Sequence, residues 1–128
     1  MRERQCLKNK KKLNSLLDDL ERSLAINGER HHDTAEIYIK IGRFYSLKTP
    51  FSVNREEFLI ALEHYHKGLV IYEKLFGDYE GYDLKTSELY CDIAELYGLL
   101  NNPSEALEFY HKGLPVYLFY LKKYGEGH

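Results

Sequence analysis

Three histidines, His64, His66 and His111, are the residues of this sequence best suited to chemistry. Imidazole titrates near neutral pH and binds transition metals, so a cluster of histidines predicts proton transfer or metal binding. Asp92 and Glu95 add two carboxylates three residues apart, which share one face of a helix and suit acid–base work. A solvated or ion-paired helix surface is the favoured interpretation of the same pair. A histidine site in a small helical enzyme or regulator therefore stays a remote alternative.

A packing role is the stronger hypothesis for these histidines. His66 and His111 occupy equivalent positions in two copies of a repeated segment, each directly after a tyrosine. The sequence has no glycine-rich phosphate loop, no zinc-type spacing of cysteine and histidine, and no nucleophile motif. We therefore expect no enzyme activity and no catalytic, cofactor-binding or metal-binding residues.

Composition places the chain among folded globular domains. It has 128 residues, of which 44% are hydrophobic and 30% charged, and its net charge is −2. These values predict one domain over residues 1–128 and no general attraction to nucleic acid. The charge is nevertheless uneven, because residues 1–12 are basic and residues 78–108 are acidic.

The cellular setting is predicted from cysteines and apolar runs. Cys6 and Cys91 are isolated and make no disulfide framework, which favours a reducing compartment. Charged residues interrupt the leucines that follow the basic start, unlike a signal peptide. The longest apolar run, 114–121, is far shorter than the ~18 residues that a membrane-spanning helix needs. We expect a cytoplasmic protein that does not contact membranes.

A repeat organises the chain. The segment IALEHYHKG at 60–68 returns as EALEFYHKG at 105–113, 45 residues later. Ahead of each copy lies a second matching piece, and here the copies are 52 residues apart, so the first unit carries 7 extra residues in a loop. The matching pairs are Glu36 and Glu88, Tyr38 and Tyr90, Ile41 and Ile93, Gly42 and Ala94, and Tyr45 and Tyr97. Internal repeats of this length are typical of stacked supersecondary units.

Each piece has the three-and-four spacing of an amphipathic helix. Small residues at equivalent places in the two units, such as Gly68 and Gly113, would let two antiparallel helices approach closely. We predict helices over residues 4–26, 33–47, 55–76, 84–100 and from 103 to about 125. Pro115 lies inside the last helix, where it lacks an NH and predicts a bend.

Several residues predict where these helices begin and end. Gly28 suits the left-handed conformation after a last turn. Asp33 with Glu36 predicts a capping box. Asn54 predicts the start of the third helix, and Asn102 followed by Pro103 predicts the strongest start in the chain.

These residues resemble the tetratricopeptide repeat. The signature of bulky aromatic, Leu, small, Tyr, small, aromatic and small is matched by Tyr90, Ile93, Ala94, Tyr97, Ala106, Tyr110 and Gly113, and by Tyr38, Ile41, Gly42, Tyr45, Ala61, Tyr65 and Gly68. The segments ALEHYHKGLVIYEKLFG and INGERHHDTAEIY look like the longer repeats of kinesin light chains, with His31 in the linker. The resemblance implies an all-α, α-α superhelix with an opening helix at 4–26, one repeat at 33–77 and another at 83–125.

The resemblance also implies a non-enzymatic scaffold that binds a protein or peptide in a concave groove lined by the first helix of each repeat. The groove residues it assigns are Glu36, Ile39, Lys40, Arg43, Leu47, Glu88, Cys91, Asp92, Glu95 and Leu99. In the repeat alignment Lys40 corresponds to Asp92 and Arg43 to Glu95. This predicts either a groove that is basic at one end and acidic at the other, or two ion pairs between helices.

The last helix carries more apolar surface than the preceding helices can cover. Its final residues, Gly125 to His128, resemble the linker at 28–31, so we expect the array to stop before a further unit. An uncovered terminal repeat favours association. We expect a homo-oligomer, or a subunit of a larger assembly, with self-association residues Val116, Tyr117, Phe119, Tyr120 and Tyr124.

Overall fold

The computed structural model describes residues 2–46, 54–76 and 84–125, which form five α-helices and, within these ranges, no β-strand. The helices are α1 (Arg2–Ile26), α2 (His32–Ser46), α3 (Arg55–Phe76), α4 (Leu84–Leu99) and α5 (Pro103–Tyr124). The predicted all-α class is confirmed, and each helix lies where the sequence predicts it, with described ends displaced by two residues or fewer. The predicted loop insertion and Leu47 lie outside the described residues.

Most of the predicted helix ends are confirmed by their hydrogen bonds. Gly28 has a φ of +83°, and its amide donates to the carbonyl oxygen of Leu24 at 3.1 Å, which closes α1. The side chain of Asn54 accepts from the amide of Glu57 at 3.2 Å at the start of α3. The side chain of Asn102 accepts from the Glu105 amide at 3.4 Å and caps α5.

The capping box predicted at Asp33 and Glu36 is wrong. The amide of Ala35 donates to the carbonyl oxygen of His31 at 3.1 Å, so His31 is the residue that precedes the first turn of α2. Its Nδ1 accepts from the amide of Asp33 at 3.0 Å. The carboxylate of Glu36 instead accepts from Lys85 Nζ at 2.8 Å. The imidazole therefore performs the capping role that the sequence assigned to a carboxylate.

Small residues bring α2 and α3 close together. A Cβ on Gly42 would lie 2.6 Å from Tyr65 Cδ1 and 3.2 Å from the carbonyl oxygen of Ala61, and a Cβ on Gly68 would lie 3.2 Å from that of Ala35. The end of α2 thus meets the start of α3, and the start of α2 meets the end of α3. The two helices form an antiparallel hairpin.

The second hairpin, α4 with α5, is built from equivalent positions. A Cβ on Gly113 would lie 3.4 Å from the carbonyl oxygen of Ser87 and 3.1 Å from Tyr90 Cβ. Gly113 and Ser87 are the repeat equivalents of Gly68 and Ala35, which make the same approach in the first hairpin. The hydroxyl of Ser87 also donates to the Gly113 carbonyl oxygen at 3.2 Å. The sequence repeat is therefore a repeat of helix packing as well.

Helices pack chiefly on their neighbours in the sequence. α1 packs on α2, α3 packs on both α2 and α4, and α4 packs on α5. The hydroxyls of Ser23 and Thr34 join α1 to α2 at 2.7 Å in a buried contact. The core is richest around α3 and α4, where it includes Leu62, Tyr65, Leu69, Tyr72, Leu89, Tyr90, Ile93, Ala94 and Leu96.

α5 continues through Pro115 without interruption, so the predicted bend does not divide the helix. The residue after the proline, Val116, is only 1% exposed and joins the core. Its burial turns one face of α5 inward. The self-association prediction for Val116 is therefore wrong, because its side chain is not available to a partner.

Candidate partner-binding groove

The α2 part of the predicted groove is mostly occupied by contacts within the chain. Ile39 is 7% exposed and lies against Gly68 of α3, so its assignment to an open groove is wrong. Sequence spacing placed it on the same helix face as Glu36 and Arg43, but the close approach at Gly68 draws the side chain into the hairpin. Lys40 is exposed.

Two ion pairs join α2 to α4. Glu36 Oε1 lies 2.8 Å from Lys85 Nζ, and Arg43 lies 3.7 Å from the Asp92 carboxylate. Both pairs span 49 residues of sequence, whereas equivalent positions are 52 apart. The repeat alignment put Lys40 opposite Asp92 and Arg43 opposite Glu95. Each α2 residue instead meets an α4 residue about one turn before its equivalent.

The two pairs differ in their electrostatics. The hydrogen bond from Lys85 holds the pKa of Glu36 below its usual value. The pKa of Asp92 is raised instead, because burial disfavours its charge more than Arg43 favours it. Both pairs remain partly exposed, and such pairs contribute about 0–1 kcal/mol each to stability. Their contribution to stability is therefore small.

An open groove of about 630 Å³ lies between α4 and α5. It is lined by Ser87, Glu88, Cys91 and Asp92 of α4 and by Tyr110, His111, Gly113, Leu114 and Tyr117 of α5. Three predicted groove residues, Glu88, Cys91 and Asp92, are therefore brought together here. Leu99 is exposed at the far end of α4 but does not line this groove.

The α4 side of the groove is acidic. Burial, followed by the charges of Asp92, Glu95 and Glu88, raises the pKa of the Cys91 thiol. Burial and then the charge of Glu95 raise the pKa of Tyr110 across the groove. A thiol with a raised pKa is a poor nucleophile. The arrangement suits binding of a cationic, partly apolar surface rather than catalysis.

Sequence reasoning missed the α5 side of the groove. Tyr110, Leu114 and Tyr117 are all exposed by more than two fifths. Of the residues predicted for self-association, only Tyr117 is among them, while Phe119 and Tyr120 are half-buried and the Tyr124 side chain is outside the described part. The signal that identifies the α5 face is the repeat itself, since the equivalents of these three residues form a core row on α3.

The three histidines have separate surroundings. His66 Nε2 lies 3.1 Å from the Tyr97 hydroxyl, and its ring meets the Phe109 ring edge-on. Burial lowers the pKa of His66, and the charge of Lys112 lowers it further. His64 Nδ1 lies 2.8 Å from the Ile60 carbonyl oxygen of its own helix. The contacts of His64 and His66 are those of packing residues. His111 is instead exposed and lines the α4–α5 groove, so the packing role expected for it is wrong.

One group in the described part of the chain has metal-ligand geometry. Single ligand atoms of His32, Asp33 and Glu36 lie within 4.8 Å of one another at the start of α2. The ammonium group of Lys85 already lies 2.8 Å from Glu36 Oε1. The carboxylate is thus engaged by a cation of the chain itself.

A second groove, of about 580 Å³, lies beside α3 and is more polar than the first. Its lining includes Glu29, Arg30, Tyr38, Glu63, His66, Lys67, Val70 and Lys74. Charges of both signs line it, and Lys67 is already held near Glu63 at 3.6 Å. The α4–α5 groove is therefore the stronger candidate for a partner.

No family model matches this sequence, and no curated protein and no solved structure shows significant similarity to it. Among the described helices, none combines the length and the apolar character that crossing a membrane requires.

Proposed function

We propose that this protein is a non-enzymatic interaction module that holds a helix or peptide of a partner protein. The observation that carries the proposal is the open groove between α4 and α5, which combines exposed apolar side chains with an acidic wall. Its volume of about 630 Å³ lies in the range of ligand-binding clefts. The predicted residues that line this groove are Glu88, Cys91 and Asp92, and Tyr110, Leu114 and Tyr117 join them from α5. Glu95 of the predicted set is exposed one turn further along α4, and its charge acts on Cys91 and Tyr110.

We also propose that the two hairpins belong to a superhelix of the tetratricopeptide type. The support is the matching close approach at Gly68 and Gly113 and the constant offset of the two α2–α4 ion pairs. Hairpins that stack in this way create extended surfaces for partners. In such a superhelix, the groove lies on the side of the last described hairpin, where a further helix would pack.

A selection from a library of displayed helical peptides tests the function. We expect the selected peptides to bind the wild-type protein and to lose binding to Leu114→Arg, which places a charge in the middle of the groove. Leu75→Arg is the matched control, because Leu75 is a similarly exposed leucine on α3 that does not line the groove. Failure to enrich any peptide, or equal loss with both variants, would refute the proposal.

Self-association through α5 is a second candidate function. It is favoured by the exposed leucines of that helix, which are Leu107, Leu114, Leu118 and Leu121. Light scattering at micromolar concentration tests it, with a dimer expected to dissociate in Leu118→Arg. A wild-type monomer of 15.1 kDa that binds no hydrophobic dye would rule it out.

A further inference from the structure

The two second helices of the hairpins carry the same apolar row in different surroundings. On α3 the row is Leu62, Tyr65, Leu69 and Tyr72, each between 1% and 5% exposed. On α5 the equivalent row, 45 residues later, is Leu107, Tyr110, Leu114 and Tyr117, each between 43% and 58% exposed. The residue types are identical at all four positions, so the difference lies in what covers them.

In the first hairpin the covering element is α4. It packs on α3 and also reaches α2 through the pairs of Lys85 with Glu36 and Asp92 with Arg43. The charges of Asp92 and Glu95 on α4 both act on Tyr65 of the α3 row. α4 therefore lies in the angle between α2 and α3, with apolar contacts on one side and ion pairs on the other.

The groove between α4 and α5 is the equivalent place in the second hairpin. The residues that line this groove have repeat equivalents on α2, 52 positions earlier, and on α3, 45 positions earlier. These equivalents include Glu36, Ile39, Tyr65, Leu69 and Tyr72. Glu36 is the residue that contacts Lys85 of α4. The open groove thus corresponds to the site that α4 occupies in the first hairpin, and it can hold one α-helix.

The charges on the rim determine which helix fits. Glu36 pairs with Lys85 of α4, and Glu88 is the equivalent of Glu36. A helix bound in the groove should therefore carry a basic residue at the position that corresponds to Lys85. Arg43 pairs with Asp92, but its equivalent in the second hairpin is the acidic Glu95. The bound helix should therefore also carry a basic residue at the position that corresponds to Asp92. These two places are seven residues apart, two turns of a helix.

Resting on the proposed function, we infer that the α4–α5 groove binds a basic amphipathic helix of a partner protein. The helix presents an apolar row spaced like Leu89, Ile93 and Leu96 of α4, flanked by two basic residues seven apart that pair with Glu88 and Glu95. Helices laid into apolar grooves by such a face are a recurring mode of recognition.

The basic helix of a second copy does not meet this pattern. In α1, Arg4 and Lys11 are basic and seven residues apart. Lys8 and Lys12 would then occupy the places of Leu89 and Ile93, which are 1% and 0% exposed in α4. Burying two lysines there is unfavourable, so α1 is not the occupant. Lys67 and Lys74 of α3 are also seven residues apart, but Ile71 between them is 6% exposed and already packed in the core of its own chain.

A peptide made from α4 itself tests the inference. The probe is a fluorescent peptide of residues 84–100 with Asp92→Lys and Cys91→Ser, and the matched peptide has Cys91→Ser and keeps Asp92. Fluorescence anisotropy should show the lysine peptide binding wild-type protein about two- to five-fold more tightly, the range that partly exposed charge pairs give. The protein variant Glu95→Arg, which restores the charge found at Arg43, should reverse this preference, and Glu95→Gln should remove it.

Two further readouts locate the binding. Leu114→Arg should abolish binding of both peptides while Leu75→Arg retains it, with folding of each variant checked by circular dichroism. In Cys6→Ser protein, the lysine peptide should slow alkylation of Cys91, which lines the groove. Both results are expected only if the peptide occupies the groove.

Three outcomes would overturn the inference. Equal affinity of wild-type protein for the two peptides would refute the charge pattern while leaving a helix-binding function in place. Binding of neither peptide at about 1 mM would refute the inference that the groove is a helix-binding site. A dimer that Leu114→Arg dissociates and the lysine peptide does not would assign the groove to a second copy.

Discussion

The hairpins α2–α3 and α4–α5 are alike inside and different outside. Both bring a glycine of the second helix against the same backbone position of the first, as Gly68 with Ala35 and Gly113 with Ser87 show. Outside, Leu62 is buried while its equivalent Leu107 is 58% exposed. A repeat motif therefore specifies how a hairpin closes on itself, whereas burial of its outer row depends on the helix that comes next.

The largest difference is expected between Leu62→Ala and Leu107→Ala. Truncating a buried leucine removes apolar contacts and leaves a cavity, so Leu62→Ala should lower the free energy of unfolding by about 2–5 kcal/mol. The same change at exposed Leu107 should alter it by less than about 0.5 kcal/mol. Urea denaturation of both variants measures the difference. Similar losses would mean that the α5 row is covered in solution.

The next effect is expected at Gly42, where the second hairpin has Ala94. Gly42→Ala places a Cβ 2.6 Å from Tyr65 Cδ1, so the ring must move and unfolding free energy should fall by about 1–3 kcal/mol. Gly98→Ala is the control, since its Cβ meets nothing within 4 Å. That helical change should stabilise the protein by up to about 1 kcal/mol. Stabilisation by Gly42→Ala would show that α2 and α3 separate easily.

The smallest effect is expected from His66, which should make the stability of the protein depend on pH. His66 packs against Tyr97 of the second hairpin, whereas its repeat equivalent His111 is exposed. Its pKa is lowered from 6.5 in the folded protein, so the unfolded chain binds this proton first as pH falls. The neutral His66 side chain therefore contributes its full stabilisation at pH values above the pKa of the unfolded chain. That stabilisation is lost as pH falls from there through the lower pKa of the folded protein. His66→Gln should flatten the decline of the urea midpoint between pH 7 and 5. His111→Gln is the matched control, and an unchanged slope in His66→Gln would contradict the prediction.

Local patterns in the sequence predicted the helices well because their determinants are local. Gly28, Asn54 and Asn102 close or open helices through bonds to residues within four positions, and each does so in the structure. The cap of α2 was misassigned because Asp33 and His31 both carry a suitable acceptor, and the choice depends on where the preceding turn leaves the chain.

Burial could not be predicted to the same degree. Ile39 and Val116 were expected at surfaces but lie in the core, because the rotation of a helix against its neighbour is fixed by packing rather than by spacing alone. For the same reason Arg43 pairs with Asp92, one turn before its equivalent Glu95. The second pair joins Glu36 to Lys85 and does not involve Lys40. The groove on α5 was within reach of sequence reasoning, since its row repeats that of α3.

The order in which the helices pack has a consequence for how the chain folds. Because α1 packs on α2, α2 on α3, α3 on α4 and α4 on α5, most contacts join residues close in sequence. Chains with such local contacts fold fast, since little loop-closure entropy precedes each contact. If the hairpins form a repeat array, as proposed, we expect either hairpin to nucleate folding and the other to add to it. The α3–α4 contact, which is less extensive than those within the hairpins, is then the coupling that decides whether the two halves unfold together.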